Sequence, residues 1–268
     1  MATLLDSLLV LIPVGALGGL VAGLFGIGGG IVAVVVLVTV LPDMMSADDR
    51  IMHVALGTSL AAIVMTSVAS TLSHHCRGAV RWPIVLRFAP AVALGALAGG
   101  TVAHHLPDRA LRIGLGVFLL WVAIRLWRRA AIRPSGRLPG AFGLAAVGGA
   151  IGVIASWTGI GGGSLSGPFL MGRGLPAAQS VGTSAAVGFP IAVAGAAGYI
   201  AGGWGASGLP PHVLGYVFWP AALVLGLASM LIAPFGARLA HALPEAKLKM
   251  AYAGLLVFSA LNVMRGAF

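Results

Sequence analysis

The pentapeptide Gly26-Ile27-Gly28-Gly29-Gly30 recurs, letter for letter, as Gly159-Ile160-Gly161-Gly162-Gly163. Each copy interrupts an apolar run, about 4–41 and about 138–171, that is too long for one membrane span and short for two complete ones. Glycine costs about 1 kcal/mol relative to alanine inside a helix. Four glycines in five residues therefore predict an unwound segment at both places. A chain written this way is expected to fold as a duplicated unit with one break in each copy.

The residues around the breaks exclude water as the main solvent. Hydrophobic residues make up 59% of the chain and charged residues 8%, with a mean hydropathy of +1.03. A soluble domain carries roughly a quarter of its residues as charges. A water-soluble enzyme, a nucleic-acid-binding domain and a disordered tail are all ruled out. The net charge of +10 then reads as a topology signal, not as affinity for nucleic acid. The single cysteine, Cys76, excludes an internal disulfide and an all-cysteine metal cage. The N-terminus lacks a basic stretch, so no cleaved signal peptide is expected.

Further apolar runs at about 51–73, 82–103, 111–127, 177–202, 213–237 and 248–264 bring the total to about eight segments. Two more blocks repeat in order. Gly57-Thr58-Ser59 pairs with Gly182-Thr183-Ser184, and Ala103-His104-His105-Leu106-Pro107 with Ala240-His241-Ala242-Leu243-Pro244. The halves are 1–130 and 138–268, joined by an Arg-rich linker at 131–137.

Charge decides how the halves relate. The positive-inside rule puts the linker, with Arg128, Arg129, Arg133 and Arg137 around it, in the cytoplasm. If each broken run enters the membrane and returns, Arg77, Arg81, Lys247 and Lys249 also become cytoplasmic. The acidic stretch at Asp43, Asp48 and Asp49 and the charge-free 202–211 loop then lie outside. The expected fold is an all-α polytopic membrane protein of two inverted repeats. Each repeat has about three full spans plus a Gly-broken helical hairpin, and both chain termini lie outside the cytoplasm of an inner-membrane protein.

Unwound backbone is tolerated at membrane depth only when buried in protein or lining a wet cavity. An apolar run resumes after Gly30 and after Gly163, so a helix is expected to start at each. Its first N–H groups lack intrahelical partners and carry the positive end of the helix dipole, which suits an anion. The candidate binding residues are Gly26, Gly28, Gly29 and Gly30 with Gly161, Gly162, Gly163 and Ser164. Thr58, Ser59, Thr158, Thr183 and Ser184 are candidate hydroxyl donors beside them. Gly15, Gly19 and Gly23, spaced by four, read instead as helix-packing positions. No Gly-Lys-Ser/Thr follows either pentapeptide, so neither is a phosphate-binding P-loop.

At these residues the chain resembles the TauE/SafE family of sulfite exporters. Ala22-Gly23-Leu24-Phe25 with the first pentapeptide, His53 through Leu60, Arg77-Gly78-Ala79-Val80-Arg81-Trp82 and the segment Gly95–Pro107 carry the resemblance. It covers essentially the whole chain and implies movement of small sulfur-containing anions of the sulfite, sulfonate or sulfoacetate class. Two departures stand out. Ile31–Leu41 lacks the proline that family members usually carry there, and Ser156-Trp157-Thr158 replaces a small-residue pattern, so Trp157 is a candidate for shaping the site.

All six acidic residues fall at span ends or in loops, so no intramembrane carboxylate relay is evident. An anion leaving a cell needs none, because the inside-negative potential is worth about 2.3 kcal/mol per charge per 100 mV. His53, one turn before Gly57, reads as an interfacial histidine or a gating residue. Arg87 reads as a snorkelling cation at the cytoplasmic entrance. His74-His75-Cys76 do not complete a metal site, since neighbours on a helix face different ways. Neither cofactor nor metal is expected. The partners are a small anionic substrate and the lipid bilayer. An alternating-access exporter is expected; an anion channel and a proton-coupled importer are the rival transport modes, and an enzyme is disfavoured because no catalytic constellation is visible.

Overall fold

The computed structural model describes residues 2–26, 28–43, 50–127, 138–209, 211–239 and 245–266. The linker at 131–137, Asp48, Asp49 and the second His-Leu-Pro block at 240–244 lie outside the described residues. Among the described residues ten α-helices form in two series of five: α1 (Ala2–Phe25), α2 (Gly30–Val40), α3 (Ile51–His75), α4 (Trp82–Ala103) and α5 (Asp108–Trp127), then α6 (Ala141–Thr158), α7 (Gly163–Gly172), α8 (Ala177–Gly202), α9 (Trp219–Leu239) and α10 (Glu245–Arg265). Among the described residues six of these, α1, α3, α4, α6, α8 and α9, are long and apolar enough to cross a membrane. The chain is a polytopic helical membrane protein.

Both pentapeptides are breaks. Gly26, Gly28, Gly29, Gly159 and Gly162 take the left-handed conformation that ends one helix and caps the next. The resumed helices are short: 11 residues in α2 and 10 in α7. At 1.5 Å per residue they extend about 15 Å, half the hydrocarbon core.

Lipid supplies little hydrophobic drive for helix association, so close backbone approach has to hold the bundle together. Gly15, Gly19 and Gly23 seat α1 against Leu225, Ser229 and Ala233 of α9, in parallel. Gly148 and Gly152 seat α6 against Phe88, Val92 and Gly95 of α4, again in parallel. α3 and α8 pass each other in opposite directions. A Cβ added to Gly57 would lie 3.0 Å from the Tyr199 Cβ, and one added to Gly195 would lie 3.0 Å from Leu60. The α1–α9 contact has a counterpart in the α6–α4 contact with the halves exchanged.

The sequence expectation is corrected in one region. The run 213–237 is not one helical span. Val213–Leu214 and Val217–Phe218 pair as a two-stranded antiparallel hairpin, and α9 begins only at Trp219. Gly215 is left-handed here (φ 57°), and the Tyr216 N–H donates to the Tyr199 carbonyl at 3.2 Å, which draws the segment onto the end of α8.

Candidate functional site

The two breaks meet. A Cβ on Gly28 would sit 3.5 Å from the Gly161 Cα, and one on Gly30 would run into the Gly159 carbonyl. α2 runs antiparallel to α3, with Gly28 beside Ile63 and, farther along, Val34 and Leu56 both beside Gly159. α7 runs antiparallel to α8, with Gly162 beside Ile191 and Gly167 beside Ser184. The N-terminal ends of α2 and α7 are therefore both turned toward the middle of the bundle. Neither start is capped by a side chain. The Ser164 Oγ, on the first turn of α7, is buried without a hydrogen-bond partner. Two dipole ends face inward, and a buried hydroxyl on the first turn of α7 is unused.

The space beside the first break is small. A cavity of about 10 Å³ is lined by Gly18, Gly28, Gly29, Gly30, Thr66 and Ser229, among others, room for about one water. A sulfur oxyanion does not fit without movement. Two expected donors are also occupied, since the Gly26 N–H donates to the Ala22 carbonyl at 2.8 Å and the Gly162 N–H to the Ile160 carbonyl at 2.6 Å.

The hydroxyls take unequal roles. Ser59 Oγ donates to the Gly159 carbonyl at 2.9 Å and lies 3.2 Å from the Gly30 carbonyl, so it ties the two breaks together. Ser184 Oγ donates back to Val181 of its own helix at 3.0 Å. Thr158 Oγ1 likewise donates to Ile154 and Ala155 of α6. Thr58 Oγ1 accepts the Phe218 N–H at 2.9 Å, and Thr183 Oγ1 accepts the Arg81 N–H at 3.1 Å. These two threonines anchor the chain just before α9 and α4, each in the opposite half. Gly57 and Gly182 leave room for those segments, since a Cβ on either would collide with the backbone of Tyr216 or Ala79. Gly-Thr-Ser is thus a clasp motif, with the serine next to a break.

The clasped segments repeat as well, and sequence reading missed this. Gly78-Ala79-Val80-Arg81-Trp82-Pro83 matches Gly215-Tyr216-Val217-Phe218-Trp219-Pro220, with left-handed glycine first and Trp-Pro opening the helix. The Trp-Pro pair was the available signal; it is weak because the match is short and two of its six letters differ.

Thr58→Val removes the acceptor of a buried backbone N–H. It is expected to destabilise the protein by about 1–3 kcal/mol, read as a lower unfolding midpoint in detergent, while Thr58→Ser stays near wild type. Lost anion affinity at unchanged stability would instead make this hydroxyl a ligand.

Three flanking candidates are placed as follows. Trp157 Nε1 donates to the Gly99 carbonyl at 2.8 Å, holding the end of α6 to α4. Arg87 is exposed on α4. His53, in the first turn of α3, is 3% exposed. Its Nε2 sits 3.0 and 3.1 Å from the Ala103 and Leu106 carbonyls, so this nitrogen carries the proton and donates. Its ring lies 5.1 Å from that of Tyr216, and Nδ1 is 3.9 Å from Asp108 Oδ1. Asp108 in turn accepts the Met52 N–H and the Arg112 Nε, both at 2.6 Å. The start of α3 is thereby fastened to α5, a contact that apolar pattern reading could not find.

Long apolar helices around two crossed, unwound segments define a polytopic membrane protein of the transporter type. The chain belongs to the sulfite exporter TauE/SafE family, which it matches over residues 11–263. It is 35% identical over 262 residues to a probable membrane transporter of Haemophilus influenzae, covering 96% of this chain and 97% of that one. It is 28% identical to the probable membrane transporter YdhB of Bacillus subtilis, over 87% and 90% of the two chains. A probable membrane transporter of Xylella fastidiosa is 30% identical over 67% of this chain and 69% of its own. No solved structure matches. The family is described as a sulfite exporter family and each of these relatives as a probable membrane transporter.

Proposed function

We propose that this protein exports a small sulfur-containing anion, of the sulfite, sulfonate or sulfoacetate class, by alternating access. The observation that carries the proposal is the convergence of two uncapped helix starts, those of α2 and α7, on one point between α3 and α8. Backbone N–H groups at Gly28, Gly29, Gly30, Gly161 and Gly163 hold the anion, with Ser164 contributing its hydroxyl. The glycines let the oxyanion approach the backbone closely.

The architecture in this proposal is an inverted repeat. Its support is the antiparallel passage of α3 and α8, which are corresponding helices of the two series, together with the exchange of clasps between halves. An odd number of crossings per half, with α1–α2 and α6–α7 returning to the side they entered, gives this relation. Arg77, Arg81, Arg125, Arg173 and Arg238 then fall at one end of the bundle and Asp108 at the other. The positive-inside rule makes the first end cytoplasmic and leaves both termini outside, in the inner membrane. The tight cavity beside the breaks favours a carrier over an open channel, since an open pore needs continuous water-filled space.

Proteoliposomes test this directly. Vesicles preloaded with unlabelled sulfite or a sulfonate are expected to accelerate uptake of the labelled anion, which a channel does not do; no acceleration with any of these anions would overturn the carrier reading. Cys76 is exposed and follows α3, so an impermeant maleimide should label it in inside-out vesicles only. Labelling in right-side-out vesicles would reverse the orientation.

A further inference from the structure

The two halves share the Gly-Thr-Ser clasp but differ in what its serine bonds. Ser59 of α3 reaches across to the carbonyl of Gly159, at the start of the second break. Its counterpart Ser184 of α8 has the first break beside it: the Ser184 Oγ is 3.3 Å from where a Cβ on Gly26 would stand. Gly26 is the residue corresponding to Gly159. Ser184 does not make the matching bond and turns back to the Val181 carbonyl. The difference extends to the preceding turn, where Leu56 is fully buried and its counterpart Val181 is partly exposed.

Resting on the inverted-repeat reading above, we infer that Ser59 and Ser184 are alternating latches that position the two breaks, one engaged in each access state. In an inverted repeat the two access states are related by exchanging the conformations of the halves. The structure holds the outer latch closed, with Ser59 on Gly159, and the inner latch released. In the opposite state Ser184 donates to the Gly26 carbonyl and Ser59 turns back to the Leu56 carbonyl. Each exchange is one serine rotamer change, and each serine hydroxyl donates to a carbonyl in both states. The hydroxyl of an engaged latch is spent on a carbonyl. Ser59 and Ser184 are therefore positioning residues and not donors to the anion, which is left to the peptide nitrogens.

The inference fixes the sign of two substitutions. Ser59→Ala removes the bond that favours the state seen here and shifts the population outward. Ser184→Ala removes the bond of the opposite state and shifts it inward. One net hydrogen bond corresponds to about a fivefold change in the ratio of the two states. In a Cys76→Ser background, Leu56→Cys reports access from outside and Val181→Cys reports access from the cytoplasm. The ratio of outer to inner labelling by an impermeant maleimide is expected to rise about fivefold with Ser59→Ala and fall about fivefold with Ser184→Ala. Ser59→Thr should keep the starting ratio. Ser184 makes only a local bond in this state, so its alanine variant gives a reading even if Ser59→Ala does not assemble. A shift of both variants in the same direction, or of neither, overturns the latch while leaving anion transport standing. Absence of counterflow in the wild-type protein would instead remove the transport reading and not bear on the labelling.

Discussion

Leucine at position 29 is expected to lower the initial rate of anion transport by roughly a hundredfold or more, at about 1.4 kcal/mol per decade, while the protein still reaches the membrane. Gly29 caps α2 at φ 72°. A side chain in that conformation costs about 1–2 kcal/mol, and its Cβ would enter the backbone of Gly18 on α1, which cannot yield as a side chain does. The break has to move, and the start of α2 moves with it. Gly162→Leu meets a softer obstacle. Its φ is 71°, but the obstructing atom is the Cδ1 of Ile191, the far end of a flexible side chain. The loss there is expected to be smaller, and Ile191→Ala should recover part of it. Initial rates in proteoliposomes, at equal incorporated protein and with a monodisperse elution profile, decide the matter. Wild-type rates in Gly29→Leu would dissociate the breaks from transport.

Asp108→Ala is expected to produce the largest loss of stability. This carboxylate accepts the N–H of Met52 at the start of α3 and pairs with Arg112, which is 7% exposed. Truncating it leaves a buried guanidinium without its partner and a helix start without its cap, a change of roughly 3–5 kcal/mol. Removing the cation as well relieves most of this, because desolvating an unpaired charge is the main cost. Asp108→Asn with Arg112→Met should therefore unfold much closer to the wild-type temperature than Asp108→Ala alone. Equal midpoints for the single and double variants would show that the ion pair is not what fastens α5 to α3. His53 lies against this pair, so its burial depends on the same fastening.

The breaks were legible from composition. Four glycines in five apolar residues cannot continue a helix in lipid, and duplication of the motif announced duplication of the unit. The spacing of Gly15, Gly19 and Gly23 named a packing face, and the face is occupied by α9. The hydroxyls were less legible. Thr58, Ser59, Thr183 and Ser184 looked like one set of donors because they stand together in the sequence. Successive helix positions point about 100° apart, so each threonine meets the clasped loop while the adjacent serine meets a break. The sequence shows only that His53 opens a helix, not that it is covered. The ends of α4 and α5 fold over it, and that cover comes from residues some 50 positions away.

Local chemistry along the chain set where helices run in lipid, where they unwind, and that the plan is used twice, because these depend only on apolar length and on glycine's missing side chain. Which break faces which hydroxyl, which carbonyl takes the proton of Ser59, and which of two equivalent serines is engaged were decided by tertiary structure alone. Those choices depend on how α3 and α8 cross, a relation between residues more than a hundred positions apart that no local pattern encodes.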